Sequence, residues 1–173
     1  RIVICGPEST GKSTLTKNLS DYFKTNYVEE FARDFLQQKW NNKQEVCTKE
    51  DLIEIARGQI ELENLKIKNS TKSIFCDTNI LTTIAWSKTH FSGYCDPWLE
   101  RQAKVLKYDY YLILNTDIPW IKDDLRDSPN DREKMFIAHK LELDNLNVNY
   151  NIIDGSDIKK RFNLAVEFIK NIY

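Results

Sequence analysis

The run Gly6-Pro7-Glu8-Ser9-Thr10-Gly11-Lys12-Ser13 sets two glycines five residues apart and follows them with a lysine and a hydroxyl. That spacing, GxxxxGK[ST], suits the cradling of a polyphosphate. Glycines let the backbone wrap tightly enough for amide N–H groups to face phosphate oxygens, and a following helix adds the positive end of its dipole. The nucleotide-binding set read from this run is Gly6, Glu8, Ser9, Thr10, Gly11, Lys12, Ser13 and Thr14. Lys12 is the mobile point charge for the β- and γ-phosphates, and the Ser13 hydroxyl is a ligand for Mg²⁺. ATP with Mg²⁺ is the cofactor pair this predicts. An accidental Gly-containing turn is the bland alternative, and average residue usage makes such a coincidence rare.

A second acid follows from Ser73-Ile74-Phe75-Cys76-Asp77, an apolar run that ends in a carboxylate. At a strand end, Asp77 can hold Mg²⁺ or take a proton from an attacking hydroxyl. It, or Thr78, could instead cap the next helix. Arg126 and Arg132 stand six apart in and just after a polar segment, Asp117 to Asp131, where guanidinium groups can close over a transferring phosphoryl group. The interleaved Asp123, Asp124, Asp127 and Asp131 equally suit a solvated charge run. Glu30 and Arg33, in Glu29-Glu30-Phe31-Ala32-Arg33, could bind sugar hydroxyls or an acceptor phosphate, or simply belong to a helix start. For stacking a heteroaromatic ring, Trp120 stands out because it follows Pro119 in a loop. Phe31 and the other tryptophans are weaker candidates, since aromatics at helical spacing are mostly core.

Elements that could position these groups are legible along the chain. Ile2-Val3-Ile4-Cys5 is a short apolar run bounded by Gly6 and Pro7, the pattern of a buried strand. A helix is predicted over 12–24, then a weak strand over 27–29 and helices over 32–40 and 49–69, the last with Thr48 as N-cap. After the strand 73–77 come helices over 79–91 and 97–106 and a strand Tyr110 to Leu114. Asp117 to Asp131 reads as a lid. A helix Arg132 to Asn145, a strand Asn151 to Asp154 and a helix capped by Ser156 finish the chain, the last with a stripe of Phe162, Ala165, Ile169 and Ile172. Strands alternating with helices predict a three-layer α/β/α sandwich on a five-stranded parallel sheet, and the phosphate loop after the first strand goes with the order 2-3-1-4-5.

The whole chain, 173 residues, reads as one domain. With 41% apolar and 29% charged residues it can bury a core. Lys plus Arg number 25 against 26 Asp plus Glu, a net charge of -1, which argues against a non-specific nucleic-acid binder. No apolar run approaches the ~20 residues that span a bilayer, and no signal peptide is visible. Cys5, Cys47, Cys76 and Cys95 lack metal-ligand spacing and suit reduced thiols in a cytoplasmic protein. The opening at Arg1, without Met or lead-in, is expected of a domain cut from a longer polypeptide or preceded by disordered residues.

Taken together, GPESTGKSTL, EEFARDFL, DLIEIARGQ, FCDTNILTTIAWS, YDYYLIL-NTDIPW and DDLR resemble the ribosylnicotinamide kinase domain of bacterial bifunctional proteins that also carry nicotinamide-nucleotide adenylyltransferase activity. The likeness runs from residue 2 to about 132, and the last helix-strand-helix is generic. It implies the P-loop kinase fold and phosphorylation of the 5′-hydroxyl of nicotinamide riboside by ATP, giving nicotinamide mononucleotide. By the same likeness Gly6 to Ser13 bind phosphates, and Asp77 lies at the Mg²⁺ and acceptor-hydroxyl position. Arg126 and Arg132 belong to the lid, while Glu30, Arg33 and Trp120 fall in motifs facing the acceptor. Two departures stand out. Asp124 replaces the usual lid glycine, and the adenylyltransferase part, a fusion partner in that family, is absent from this chain.

Two other readings stay open. One is a P-loop kinase for another nucleoside, nucleotide or metabolite, which would share fold, loop and lid. The acidic neighbours of Arg33 favour an uncharged or cationic riboside over a monophosphate, which would call for clustered Arg or Lys. The other is a regulatory nucleotide-binding module. A GTPase switch would need DxxG, and no glycine here has Asp three residues before it; Asn42-Lys43-Gln44-Glu45 narrowly misses NKxD. An AAA-type machine would need a further helical domain.

Overall fold

The computed structural model describes residues 1–70, 73–122, 125 and 129–172. In chain order the strands are β1 (Ile2–Cys5), β2 (Asn26–Val28), β3 (Ile74–Asp77), β4 (Tyr110–Leu114) and β5 (Tyr150–Ile153). The helices are α1 (Lys12–Phe23), α2 (Phe31–Lys43), α3 (Asp51–Lys68), α4 (Ile80–His90), α5 (Pro97–Val105), α6 (Arg132–Asn145) and α7 (Ile158–Lys170), with a 3₁₀ turn over Pro129–Asp131. The strands form one sheet, β2-β3-β1-β4-β5, with parallel pairing throughout. This is the order expected from the sequence.

Parallel register explains why the chemistry gathers at one edge. Ile4 lies opposite Asp77 and Leu112, and Leu114 opposite Ile153, so every strand ends at the same side of the sheet. The phosphate loop, the 29–33 segment, Asp77, the 115–120 segment and Gly155 all follow those ends. Ligands of open α/β sheets bind in the crevice outside the carboxyl ends of the strands.

Pleating sorts the core into two layers. Val3 and Cys5 pack with Leu52, Ile80, Ile84, Leu99 and Leu143, beneath α3 to α6. Ile2 and Ile4 pack with Leu15, Leu19, Ala165 and Ile169, beneath α1 and α7. Each fully buried Leu or Ile contributes about 1.5–3 kcal/mol from removal of apolar surface from water.

Helix starts show where local reading meets its limit. Asp96 accepts from Trp98 N at 2.7 Å, with Pro97 opening α5. For α7 the cap is Asp157, not Ser156, because its carboxylate accepts from Lys159 N at 2.8 Å and Lys160 N at 3.0 Å. Nor does Thr48 cap α3. Instead Asp51 Oδ2 accepts from the Thr48 amide at 2.7 Å and from Lys39 Nζ at 2.6 Å. Ile172 lies beyond the end of α7 and is 40% exposed, so it is not part of the buried stripe. All four cysteines are free thiols, with Cys5 and Cys76 buried. Among the described residues no helix is long and apolar enough to cross a membrane.

Candidate functional site

Two glycines are fixed by backbone geometry. Gly6 has φ +128, and a Cβ there would stand 2.7 Å from the Leu114 carbonyl oxygen. Gly11, the residue before α1, has φ +84. Between them the loop's carbonyls are held by side chains. Pro7 O accepts from Thr10 Oγ1 and from Lys12 Nζ, both at 2.8 Å. Ser9 O accepts from Arg132 Nη2 at 3.3 Å, and Thr10 O from Arg161 Nη1 at 2.9 Å. In a trans peptide the N–H points opposite to the C=O. Holding the carbonyls of Pro7, Ser9 and Thr10 therefore turns the amides of Glu8, Thr10 and Gly11 the other way, as donors for an anion.

Arg161 carried no signal in the sequence, being one charged residue in a generic helix. In the fold it is buried and joins three loops. Its Nε donates to Gly155 O at 2.5 Å, its Nη2 to Asn115 O at 2.7 Å, and Asp117 Oδ2 lies 3.4 Å away. Asp117 also accepts from Gly155 N at 2.7 Å. Arg161→Met should strand several carbonyls and loosen the phosphate loop. The expected result is a roughly 10- to 100-fold higher KM for ATP with the acceptor KM unchanged, and a loss of about 2–4 kcal/mol in unfolding free energy. Steady-state kinetics and thermal melts check both; an unchanged ATP KM would reduce Arg161 to a fold residue.

Asp77 is not a cap. That role falls to Asn79, whose side chain accepts from Leu81 N at 3.1 Å and donates to Tyr111 OH at 3.0 Å. Asp77 is 3% exposed, hydrogen-bonds Ser13, and leaves Oδ1 with no partner. Burial, and then the negative charge of Glu30, push its pKa up to about 6, against the opposing pull of Lys12. A hydroxyl and an unsatisfied carboxylate oxygen side by side are a hard oxygen donor set. Mg²⁺ uses such sets, taking one or two carboxylates and completing its shell with phosphates and water. Ser13 and Asp77 fit that ion. Among the described residues no group of three or more His, Cys, Asp or Glu side chains gathers as a metal site.

Beside the loop opens a cavity of about 520 Å³. Lys12, Ser13, Glu30, Arg33 and Arg132 line it together with Trp40 and Trp86. Glu30 precedes α2 without a side-chain capping bond, so its carboxylate is not consumed by the helix start. The inner face of α2 supplies Ala32, Arg33, Leu36 and Trp40, at helical spacing.

Trp120 is not among these lining residues. Its indole Nε1 donates to Glu8 Oε1 at 3.0 Å, which fastens the loop after β4 to the phosphate loop. Neighbouring contacts do the same: Ile121 N to Ser9 Oγ at 2.9 Å and Arg132 Nη2 to Ile118 O at 2.8 Å. Phe31 is also elsewhere, its ring filling the place a Cβ on Gly58 would need. The aromatic walls are Trp40, Trp86 and Phe91, of which the two indoles are the larger faces. Trp86 stacks on His90 with centroids 4.2 Å apart. The signal that could have found it is Thr82, Trp86 and His90 at i, i+4 and i+8 on α4. Arg126 lies outside the described residues.

With this geometry in hand, the chain compares with known proteins as follows. It is 27% identical over 173 residues to the trifunctional NAD biosynthesis/regulator protein NadR of Escherichia coli K12, a match covering 99% of this chain and 42% of that protein. Among solved structures it superimposes on NadR protein in complex with NR with a TM-score of 0.82 at 19% identity, over 99% of this chain and 50% of that one. A thymidylate kinase from Ehrlichia chaffeensis gives a TM-score of 0.68 at 15% identity, over 97% of both chains. These structural likenesses establish the P-loop kinase fold. The sequence model of the AAA domain family, AAA_28, matches residues 1–161. The chain belongs to that family.

Proposed function

We propose that the chain is an ATP-dependent kinase that phosphorylates the 5′-hydroxyl of nicotinamide riboside to nicotinamide mononucleotide in NAD biosynthesis. The observation that carries this is Asp77, buried and half-unpartnered, between the phosphate-loop residues Lys12 and Ser13 and the acceptor-side pair Glu30 and Arg33. The 27% identity to an NAD biosynthesis protein supports the same substrate. Under this reading the chain is the kinase part of a larger cytoplasmic protein fused to an adenylyltransferase, as the 42% coverage of that relative suggests.

In the reaction the acceptor's 5′-oxygen attacks the γ-phosphorus, the bond to the β–γ bridging oxygen breaks, and ADP leaves. Asp77 takes the hydroxyl proton onto its carboxylate. Lys12 and Arg132 neutralise charge that develops on the phosphoryl oxygens. Mg²⁺, held by Ser13 and Asp77, would screen the phosphate charge. Glu30 favours a cationic ring and accepts hydrogen bonds from ribose hydroxyls. Arg126 keeps the lid role proposed for it from the sequence.

The flat pyridinium ring needs a face, and Trp86 or Trp40 supplies it from within the cavity, with Trp120 acting on the nucleotide side. A cation over indole gains about 0.5–2 kcal/mol. Trp86→Leu should then raise the riboside KM roughly 3- to 30-fold with the ATP KM nearly unchanged, whereas Trp120→Ala should act on the ATP KM through Glu8. An ATP-consumption assay over a panel of nucleosides and nucleoside monophosphates tests the whole reading. Preference for a monophosphate would establish the second reading, a nucleotide kinase, which the thymidylate-kinase likeness keeps in view.

A further inference from the structure

Five buried side-chain nitrogen or oxygen atoms among the described residues lack a hydrogen-bond partner: Gln59 Nε2, Asp77 Oδ1, Thr82 Oγ1, Arg132 Nε and His139 Nε2. Buried polar groups are nearly always paired, so their grouping matters. Gln59, Thr82, Arg132 and His139 all line the cavity beside the phosphate loop, and Asp77 bonds Ser13, which also lines it. Asp77 and Arg132 belong to the phosphoryl-transfer apparatus. Gln59 already serves the fold by accepting from Phe31 N at 2.9 Å. Thr82 on α4 and His139 on α6 have no structural task of that kind through these atoms, and their two helices pack together.

The tautomer of His139 follows from its other nitrogen. Nδ1 lies 2.8 Å from Met135 O, and a carbonyl only accepts, so Nδ1 carries the proton. Burial holds the ring neutral, with its pKa lowered to about 4. Nε2 is therefore a bare lone pair in the cavity that the Thr82 hydroxyl also lines, close enough to Lys12 to feel its charge. A lone pair accepts from N–H or O–H and is repelled by an anion.

We propose that His139 and Thr82 form a neutral polar subsite at the α4–α6 wall that reads an uncharged hydrogen-bond donor on the phosphoryl acceptor and discriminates against an anionic group there. The inference rests on the riboside-kinase reading above and sharpens it. Two groups of a pyridine riboside carry such a donor: the carboxamide N–H and the ribose hydroxyls.

The test is a cycle of substrates and variants. kcat/KM is measured for wild type, His139→Leu, His139→Gln and Thr82→Val on nicotinamide riboside, nicotinic acid riboside and the 2′- and 3′-deoxy analogues. Wild type should disfavour one analogue by roughly 5- to 100-fold. That preference should collapse in His139→Leu and return in part in His139→Gln, which keeps an acceptor. Collapse on the acid riboside assigns the carboxamide; collapse on a deoxy analogue assigns that hydroxyl. Ratios that stay within twofold of wild type in every variant would overturn the subsite while leaving the kinase reading intact. Wild-type protein that phosphorylates no riboside would overturn both. Because the chain has only 2 histidines, the ¹⁵N resonance of His139 Nε2 can also be followed in the unmodified protein, so the test survives a variant that fails to fold. Added nicotinamide riboside should move it from the bare to the hydrogen-bonded position, and an unmoved resonance at saturation would overturn the proposal.

Discussion

Lys12→Ala is expected to lower kcat by roughly 10²- to 10³-fold while the protein melts within a degree or two of wild type. The rate effect follows from removing a positive charge aimed at phosphoryl oxygens in a site partly shielded from water, where one such donor is worth about 3–4 kcal/mol of barrier. The small stability effect follows from the environment. Lys12 is half-buried, its ammonium bonds the Pro7 carbonyl among the described residues, and that oxygen keeps Thr10 Oγ1 as a second donor. Steady-state rates and a thermal melt on one preparation are sufficient. Wild-type turnover in this variant would remove the phosphate-loop assignment, and with it the kinase.

Asp77→Asn should cost roughly 10²- to 10⁴-fold in kcat, the range associated with loss of a general base, with ATP affinity changed much less. Stability should move in the other direction. Asp77 is buried, and both burial and Glu30 raise its pKa in the folded chain to about 6. A group whose folded pKa lies above its unfolded value contributes stability at low pH and loses it as pH rises. The asparagine variant should therefore match wild type below about pH 3, where both side chains are neutral in both states. It should gain relative to wild type as pH rises through about 6, so that it melts higher at pH 8. An activity loss joined to a pH-dependent stability gain is the signature of a carboxylate kept strained for use. A variant that loses stability at every pH, with residual rate unchanged, would make Asp77 a fold residue.

What was legible in the sequence was local. The phosphate loop needs two glycines at fixed distance, a strand before and a helix after, and all are written within a few residues of one another. Tyr110–Leu114 is legible as an uninterrupted apolar run, and Arg132–Asn145 as a stretch of good helix formers without Gly or Pro, and both have the expected bounds in the fold. Alternation of strands and helices leads to a parallel sheet, and the order 2-3-1-4-5, expected with a phosphate loop after the first strand, sets Asp77 beside that loop. Even nearby competition was harder to read. Ser156 and Asp157 are both good caps, and the carboxylate prevails by accepting two amides.

Tertiary structure alone decided which distant groups meet. Trp86 has the spacing of a core residue and Trp120 that of an exposed loop anchor, yet the fold sets Trp86 on the cavity and ties Trp120 to Glu8. Arg161 lies 151 residues from the carbonyl it holds, and nothing in its neighbourhood announces the bond. His139 is one histidine on a helix until the packing of α4 against α6 leaves its lone pair buried without a partner. The physical reason is common to all three. Backbone conformation and helix or strand period are set by adjacent residues, so the sequence by itself determined the loop, the strand ends and the acid beside them. The wall of a cavity is set by which faces of remote elements come together, and an aromatic, a histidine or an arginine looks the same in sequence whether it fills the core, clamps a loop or faces a ligand.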